Sequence, residues 1–239
     1  MSSRKDQKSS ARVVREQLAR ERRRRRTLWT SAAAVAVLVI AGLIGYAVWS
    51  GQRPAGNSAT PPGTVAGGTA VALGSGPVTI DIYEDFQCPV CRQFEQQSGD
   101  TIDQLVAQNK VKVQYHPIAI LDRFSTTNYS TRSAAAAGCT TQTGKFRDYA
   151  KALFAQQPAE GSAGLTNDQL VDIGNQAGIS GGDFAACVKD QRYKGWTQTS
   201  TDTATKNGVN GTPTVLVNGQ KVDTPTPENI TAAVTAAAK

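Results

Sequence analysis

A Cys-Pro-Val-Cys segment at residues 88–91 stands where a β-branched stretch gives way to a helical one, and no other feature narrows the fold as far. Upstream, Val78-Thr79-Ile80-Asp81-Ile82-Tyr83 alternates apolar and polar side chains with the period of a strand. Downstream, Pro89 to about Asn109 reads as a helix. Proline falls in its first turn, where a missing N–H costs no hydrogen bond, and Phe94, Ile102, Leu105 and Val106 give it an apolar side. Val111 to Tyr115 alternates again. The cysteines therefore belong at the start of the helix that crosses between two strands.

The next ninety or so residues carry no strand pattern. Phe146, Tyr149, Ala150, Leu153 and Phe154 recur at helical spacing. Thr166 with Gln169 has capping-box spacing, and Ser180 with Asp183 suggests a second helix start. After this block, Thr214 to Val222 holds two apolar runs joined by Asn218-Gly219, a strong hairpin signal. Pro225 and Pro227 precede a last helix with Ile230 and Val234 facing inward. The order β-α-β, helical insertion (about 121–208), β-β-α predicts an α/β, thioredoxin-like fold over residues 76–239.

A thiolate, not a thiol, attacks a disulfide. At a helix start, Cys88 meets unpaired N–H groups and the positive end of the helix dipole, both of which favour the anion. Cys91 lies nearly one turn later and can close a ring with it. Cys88 is therefore the expected nucleophile, the more exposed sulfur of the two, and Cys91 the resolving thiol. Half a zinc site is the competing reading, but zinc needs two further ligands. The only histidine is His116, and the other cysteines, Cys139 and Cys187, are isolated in sequence. No metal site and no cofactor are expected. His116 ends the second strand before Pro117, and a structural role suits it better than a catalytic one.

Charge is segregated along the chain. The formal charge of +7 comes from residues 1–26, which carry eleven Lys/Arg against three acids; the remaining 213 residues sum to −1. Nucleic-acid binding needs positive charge spread over a folded face, so it is not expected. Arg22 to Arg26 is an unbroken basic run, and residues 27–50 carry no charge, with Trp29, Tyr46 and Trp49 near the two ends. About 20 such residues span a bilayer as a helix. The basic run predicts a cytoplasmic N-terminal tail (1–26), a single transmembrane anchor (27–50), and an extracytoplasmic remainder. A cleaved signal peptide is the other reading. Residues 51–75, rich in Gly, Pro, Ala, Ser and Thr with Arg53 as the one charge, read as a flexible tether.

The stretch Asp85-Phe86-Gln87-Cys88-Pro89-Val90-Cys91-Arg92-Gln93-Phe94-Glu95 resembles the active-site segment of DsbA-like thioredoxin-fold proteins. Gly144-Lys145-Phe146, Ala152-Leu153-Phe154 and Gly208 to Thr214 extend the likeness over about residues 76–237. It is similar above all to the membrane-anchored type found in high-GC Gram-positive bacteria. The resemblance implies a cis bond at Thr212-Pro213 facing the cysteines, with Thr212 offering backbone to a substrate strand; an ordinary trans proline opening a strand is the alternative. It also implies a second, structural bridge, Cys139–Cys187, which remains once Cys88 and Cys91 are paired by their chemistry; a regulatory or relay pair is the alternative. Relatives carry a buried acid six residues before the first cysteine, a position taken here by Ile82. Asp81, Glu84 and Asp85 are the acids nearby; Asp85 matches the family's acid three residues before the cysteine and is the candidate modulator, unless it is a solvated loop residue.

These readings predict an extracytoplasmic thiol–disulfide oxidoreductase forming disulfides in secreted or surface proteins. The implied partners are those reduced proteins and a quinone-linked membrane protein of DsbB or vitamin-K-epoxide-reductase-like (VKOR-like) type. Isomerase or reductase work by the same fold, or a non-catalytic anchored module binding a metal or a partner, are the alternatives.

Overall fold

The alternation of residues 78–83 becomes the centre of a six-stranded sheet in the computed structural model, which describes residues 59–239. In chain order the elements are β1 (Thr64–Val65), β2 (Ala70–Leu73), β3 (Val78–Glu84), α1 (Pro89–Ala107) and β4 (Val111–Pro117). The helical insertion follows as α2 (Tyr129–Gly138), α3 (Phe146–Ala155), α4 (Asn167–Gln176), α5 (Gly182–Lys189) and α6 (Lys194–Lys206). β5 (Thr214–Val217), β6 (Gln220–Lys221) and α7 (Pro227–Ala237) complete the chain. The sheet order is β1-β2-β4-β3-β5-β6, with only β3 and β4 parallel. This is a thioredoxin-like α/β fold with a helical insertion.

Alternation decides which residues go to which face. Ile80 and Ile82 of β3 with Val111, Val113 and Tyr115 of β4 join the main core, beneath Phe94, Ile102 and Leu105 of α1. Tyr83, Ile118, Ala204 and Val209 form a smaller cluster on the other face, where α6 packs. Asn218 and Gly219 both adopt positive φ (45° and 80°), as a tight two-residue hairpin turn requires. Asn218 also accepts from the Thr79 N–H (2.8 Å) through its side chain, pinning the hairpin to β3. The capping box at Thr166 forms in full: its hydroxyl accepts from Gln169 N–H (3.2 Å) and the Gln169 side chain accepts from Thr166 N–H (2.8 Å). Ser180 does not cap; α5 starts after Gly181, whose φ of 120° turns the chain in its place.

The tether expected over residues 51–75 is too long by at least its last third. Thr64–Val65 and Ala70–Leu73 are strands, and β2 pairs antiparallel with β4 from Val71↔Tyr115 to Leu73↔Val113. The segment has no strand signature because its stabilisation comes from backbone pairing and from cover by α6. Trp196 Nε1 donates to Gly68 O (2.6 Å), and the Ser200 hydroxyl donates to Thr69 O (3.4 Å). The basic segment 1–26 and the apolar segment 27–50 lie outside the described residues. Among the described residues no helix is long and apolar enough to cross a membrane.

Candidate active site

β3 ends at Glu84, and residues 85–88 turn the chain into α1. Cys88 is the N-cap of that helix and Pro89 its first residue, so the sulfur sits at the positive helix end. Cys88 and Cys91 are both free thiols. Both are buried, with Cys88 the more exposed of the two, at 6% against 0% for Cys91. Electrostatics separates them further. A hydrogen bond from Cys91 outweighs burial and, with further donors in the Thr212 side chain and the Cys91 and Val90 N–H groups, lowers the Cys88 thiol to about 6. Burial, reinforced by the neighbouring Cys88 sulfur, raises Cys91 well above the ordinary thiol range. Side by side, these form one acidic thiol and one that keeps its proton.

The loop before β5, the strand next to β3, meets this pair. The Thr212–Pro213 bond is cis, and the Cys88 thiol lies 3.4 Å from Thr212 O. A thiol donates to that carbonyl; a thiolate does not and turns to the N–H donors instead. Beside the cysteines, a cavity of about 160 Å³ is lined by Val90, Gln93, Phe94, Gln97, Pro213 and Thr224 to Thr226. Its lining is uncharged, and Val90 is 57% exposed at its edge.

Asp85 is not a solvated loop residue. It is 0% exposed and accepts from Gln87 N–H (2.9 Å) and Leu121 N–H (3.0 Å), which ties the reactive turn to the start of the insertion. Burial pushes its carboxyl up to about 7 against those donors. Gln87 Nε2 donates to Leu121 O (3.1 Å) in the same tie. His116 lies away from this cluster of contacts: its Nε2 is 3.0 Å from Asp81 Oδ1 and its ring stacks on Tyr83 at 4.2 Å, a strand-to-strand contact. Cys139 and Cys187 are joined within the insertion (S–S 2.02 Å). Among the described residues no group of three or more His, Cys, Asp or Glu could hold a metal.

The sequence reading ranked Glu84 below Asp85 and did not name Arg147. Glu84 shares the inner face of β3 with Ile82, is buried, and has an Oε1 without a hydrogen-bond partner. Burial first, then the Glu95 charge, raises its carboxyl to about 8 against the pull of Arg147. Arg147, from α3, grips α1 by Glu95 (2.7 and 2.8 Å) and Asp103 (2.7 Å). The strand period put Glu84 on the core face, and that was the available signal; nothing local marks Arg147.

The sequence pattern of the thioredoxin family matches residues 67–236. The chain belongs to the thioredoxin family. Among solved structures, it is similar to oxidised DsbA of Mycobacterium tuberculosis at 33% identity and a TM-score of 0.62, covering 70% of this chain and 91% of that one. It is also similar to the reduced disulfide bond oxidoreductase DsbG of M. tuberculosis, at 33% identity and a TM-score of 0.64, covering 72% of this chain and 88% of that one. A stretch of 159 residues is 32% identical to the serine/threonine-protein kinase PknE of M. tuberculosis, covering 62% of this chain but 28% of the kinase. The chain thus spans little more than a quarter of that curated relative. The described domain is of the DsbA-like thiol–disulfide oxidoreductase type.

Proposed function

We propose that this protein forms disulfides in secreted or surface proteins outside the cytoplasm, using Cys88 as the attacking and accepting sulfur and Cys91 as the resolving one. The observation that carries the reading is the asymmetry of the two thiols, one lowered to about 6 and the other raised, three residues apart at a helix start. In the oxidised form, a substrate thiolate attacks Cys88 Sγ and the Cys88–Cys91 bond breaks. Cys91 leaves as a thiolate and takes a proton. A second substrate thiolate then attacks the substrate sulfur of the mixed disulfide, releasing Cys88. Cys88 leaves readily because its thiolate is stabilised, which favours electron flow from substrate to enzyme. The two electrons now held as the Cys88 and Cys91 thiols pass to a membrane reoxidising partner of quinone-linked, DsbB or VKOR-like type. Thr212 and Pro213 offer an edge on which an extended substrate segment can lie beside Cys88. The uncharged cavity at Val90 and Phe94 suits the apolar residues of a chain that is not yet folded. Residues 1–26 and 27–50 supply the cytoplasmic tail and the single-pass cell-membrane anchor in this reading, with Arg22 to Arg26 setting the orientation.

Cys91→Ala in cells tests it. With the resolving thiol gone, Cys88 is expected to accumulate mixed disulfides with extracytoplasmic proteins, visible on non-reducing gels and lost on reduction. Absence of such species, with no thiol exchange by the purified protein, would sink the proposal.

A further inference from the structure

Helix α3 touches the reactive turn at one end and α1 at the other. At its C-terminal end, Phe154 packs its ring against Phe86 with centroids 5.0 Å apart. Just past the helix, Gln157 Nε2 donates to Phe86 O (2.9 Å) and to Cys88 O (3.0 Å). At the N-terminal end, Arg147 bonds Glu95, Asp103 and Gly99 O of α1. The helix is a splint laid from the turn to the helix that the turn begins.

The Gln157 contact falls where the turn has least alternative support. Phe86 is fully buried, so its carbonyl lies out of reach of bulk water. The Cys88 carbonyl already accepts from Arg92 N–H (3.2 Å), the first hydrogen bond of α1, and Gln157 supplies its second donor. Pro89 has no N–H to offer, so the peptide between Cys88 and Pro89 is held through its oxygen alone. Any rotation of that peptide swings Cys88 Sγ relative to the N–H groups of Val90 and Cys91.

We propose that Gln157 is a positioning residue for the attacking sulfur, its amide holding the Cys88 carbonyl so that Sγ stays in line with the helix-start N–H groups. The idea rests on Cys88 being the attacking sulfur, and it assigns part of the insertion to the chemistry of the site. With the amide removed, the Phe86 and Cys88 carbonyls lose a donor, the turn relaxes to find another, and the thiolate loses stabilisation. The neighbouring Gln156 is exposed and bonds Gln176 Oε1 (2.9 Å), so it provides a matched control.

The experiment is the pH dependence of Cys88 alkylation by iodoacetamide, mapped by mass spectrometry, on the reduced full-length chain in detergent. Gln157→Leu is expected to move the midpoint up by about one unit, roughly a tenfold loss of rate at low pH. Gln157→Asn keeps the amide but withdraws it from both carbonyls and is expected to shift the midpoint in the same direction. Gln156→Ala is expected to leave it in place. An unchanged midpoint in the Asn variant, even with a lowered melting temperature, would reduce Gln157 to a structural contact and overturn the proposal. If Gln157→Leu fails to fold, the Asn variant decides alone. Because the titration needs no substrate, a shifted midpoint in a protein without exchange activity would refute the proposed function and leave this inference standing.

Discussion

Two pairs of cysteines share this domain and differ in almost every physical respect. Cys88 and Cys91 are three residues apart at the mouth of α1, free, and pulled to opposite protonation states by their surroundings. Cys139 and Cys187 are 48 residues apart, bonded, and tie the end of α2 to α5 inside the insertion. A short ring at a helix start restrains little of the unfolded chain, so making or breaking it leaves the fold intact and its chemistry can be reversible. A ring closed over 48 residues removes much unfolded-state freedom, worth about 4 kcal/mol in the chain-entropy picture. Loop length and local electrostatics together separate a pair suited to exchange from a pair suited to stapling.

The largest effect that would break this contrast is on exchange itself. Cys88→Ser is expected to reduce disulfide exchange with a dithiol peptide to background, while the double variant Cys139→Ser with Cys187→Ser keeps most of it. Activity that depended on the second pair would make it a relay.

The same double variant sharpens the other half of the comparison. Chemical denaturation is expected to show a loss of about 4 kcal/mol, with the domain still folded. A loss close to zero would remove the stapling role.

Titration tests the asymmetry next. In the reduced protein, Cys88 ionises at about 6 when folded and near 9.0 when unfolded. Its stabilising effect is fully present above pH 9 and is lost as pH falls through 6. The disulfide form has no such dependence. The melting temperature of the reduced form should therefore gain on that of the oxidised form between pH 6 and 9, and a constant difference would contradict the lowered Cys88.

Glu84 has the opposite sign. Its folded carboxyl titrates at about 8 against an ordinary 4.5, so the group costs stability progressively between those values. Glu84→Gln is expected to be near neutral at pH 4 and to stabilise at pH 8, by about 4 kcal/mol. Equal stabilities at both pH values would show that Glu84 is ionised and paired with Arg147.

Much of the framework is legible along the chain. The alternation in β3 and β4, the Asn218-Gly219 turn and the Thr166 box act within a few residues, and each appears where its local chemistry puts it. β1 and β2 escape notice because Thr64–Val65 and Ala70–Leu73 are held by pairing to β4 and by Trp196, with no pattern of their own. Asp85 reads equally well as a loop residue until Leu121, 36 positions on, closes over it. Gln157 is an unremarkable glutamine until its amide is found on a carbonyl 69 residues away.

What the sequence by itself determined is the junction: a strand, a helix start, and Cys88-Pro89-Val90-Cys91 between them, with the net positive charge confined to residues 1–26. Only the tertiary structure decided how the two sulfurs divide the proton, which carboxyls are kept dry, and which distant side chains hold the turn. The physical reason is range. Backbone period, capping and turn preference act over a few residues, whereas burial and the donors around a sulfur come from segments that meet only when the chain has folded.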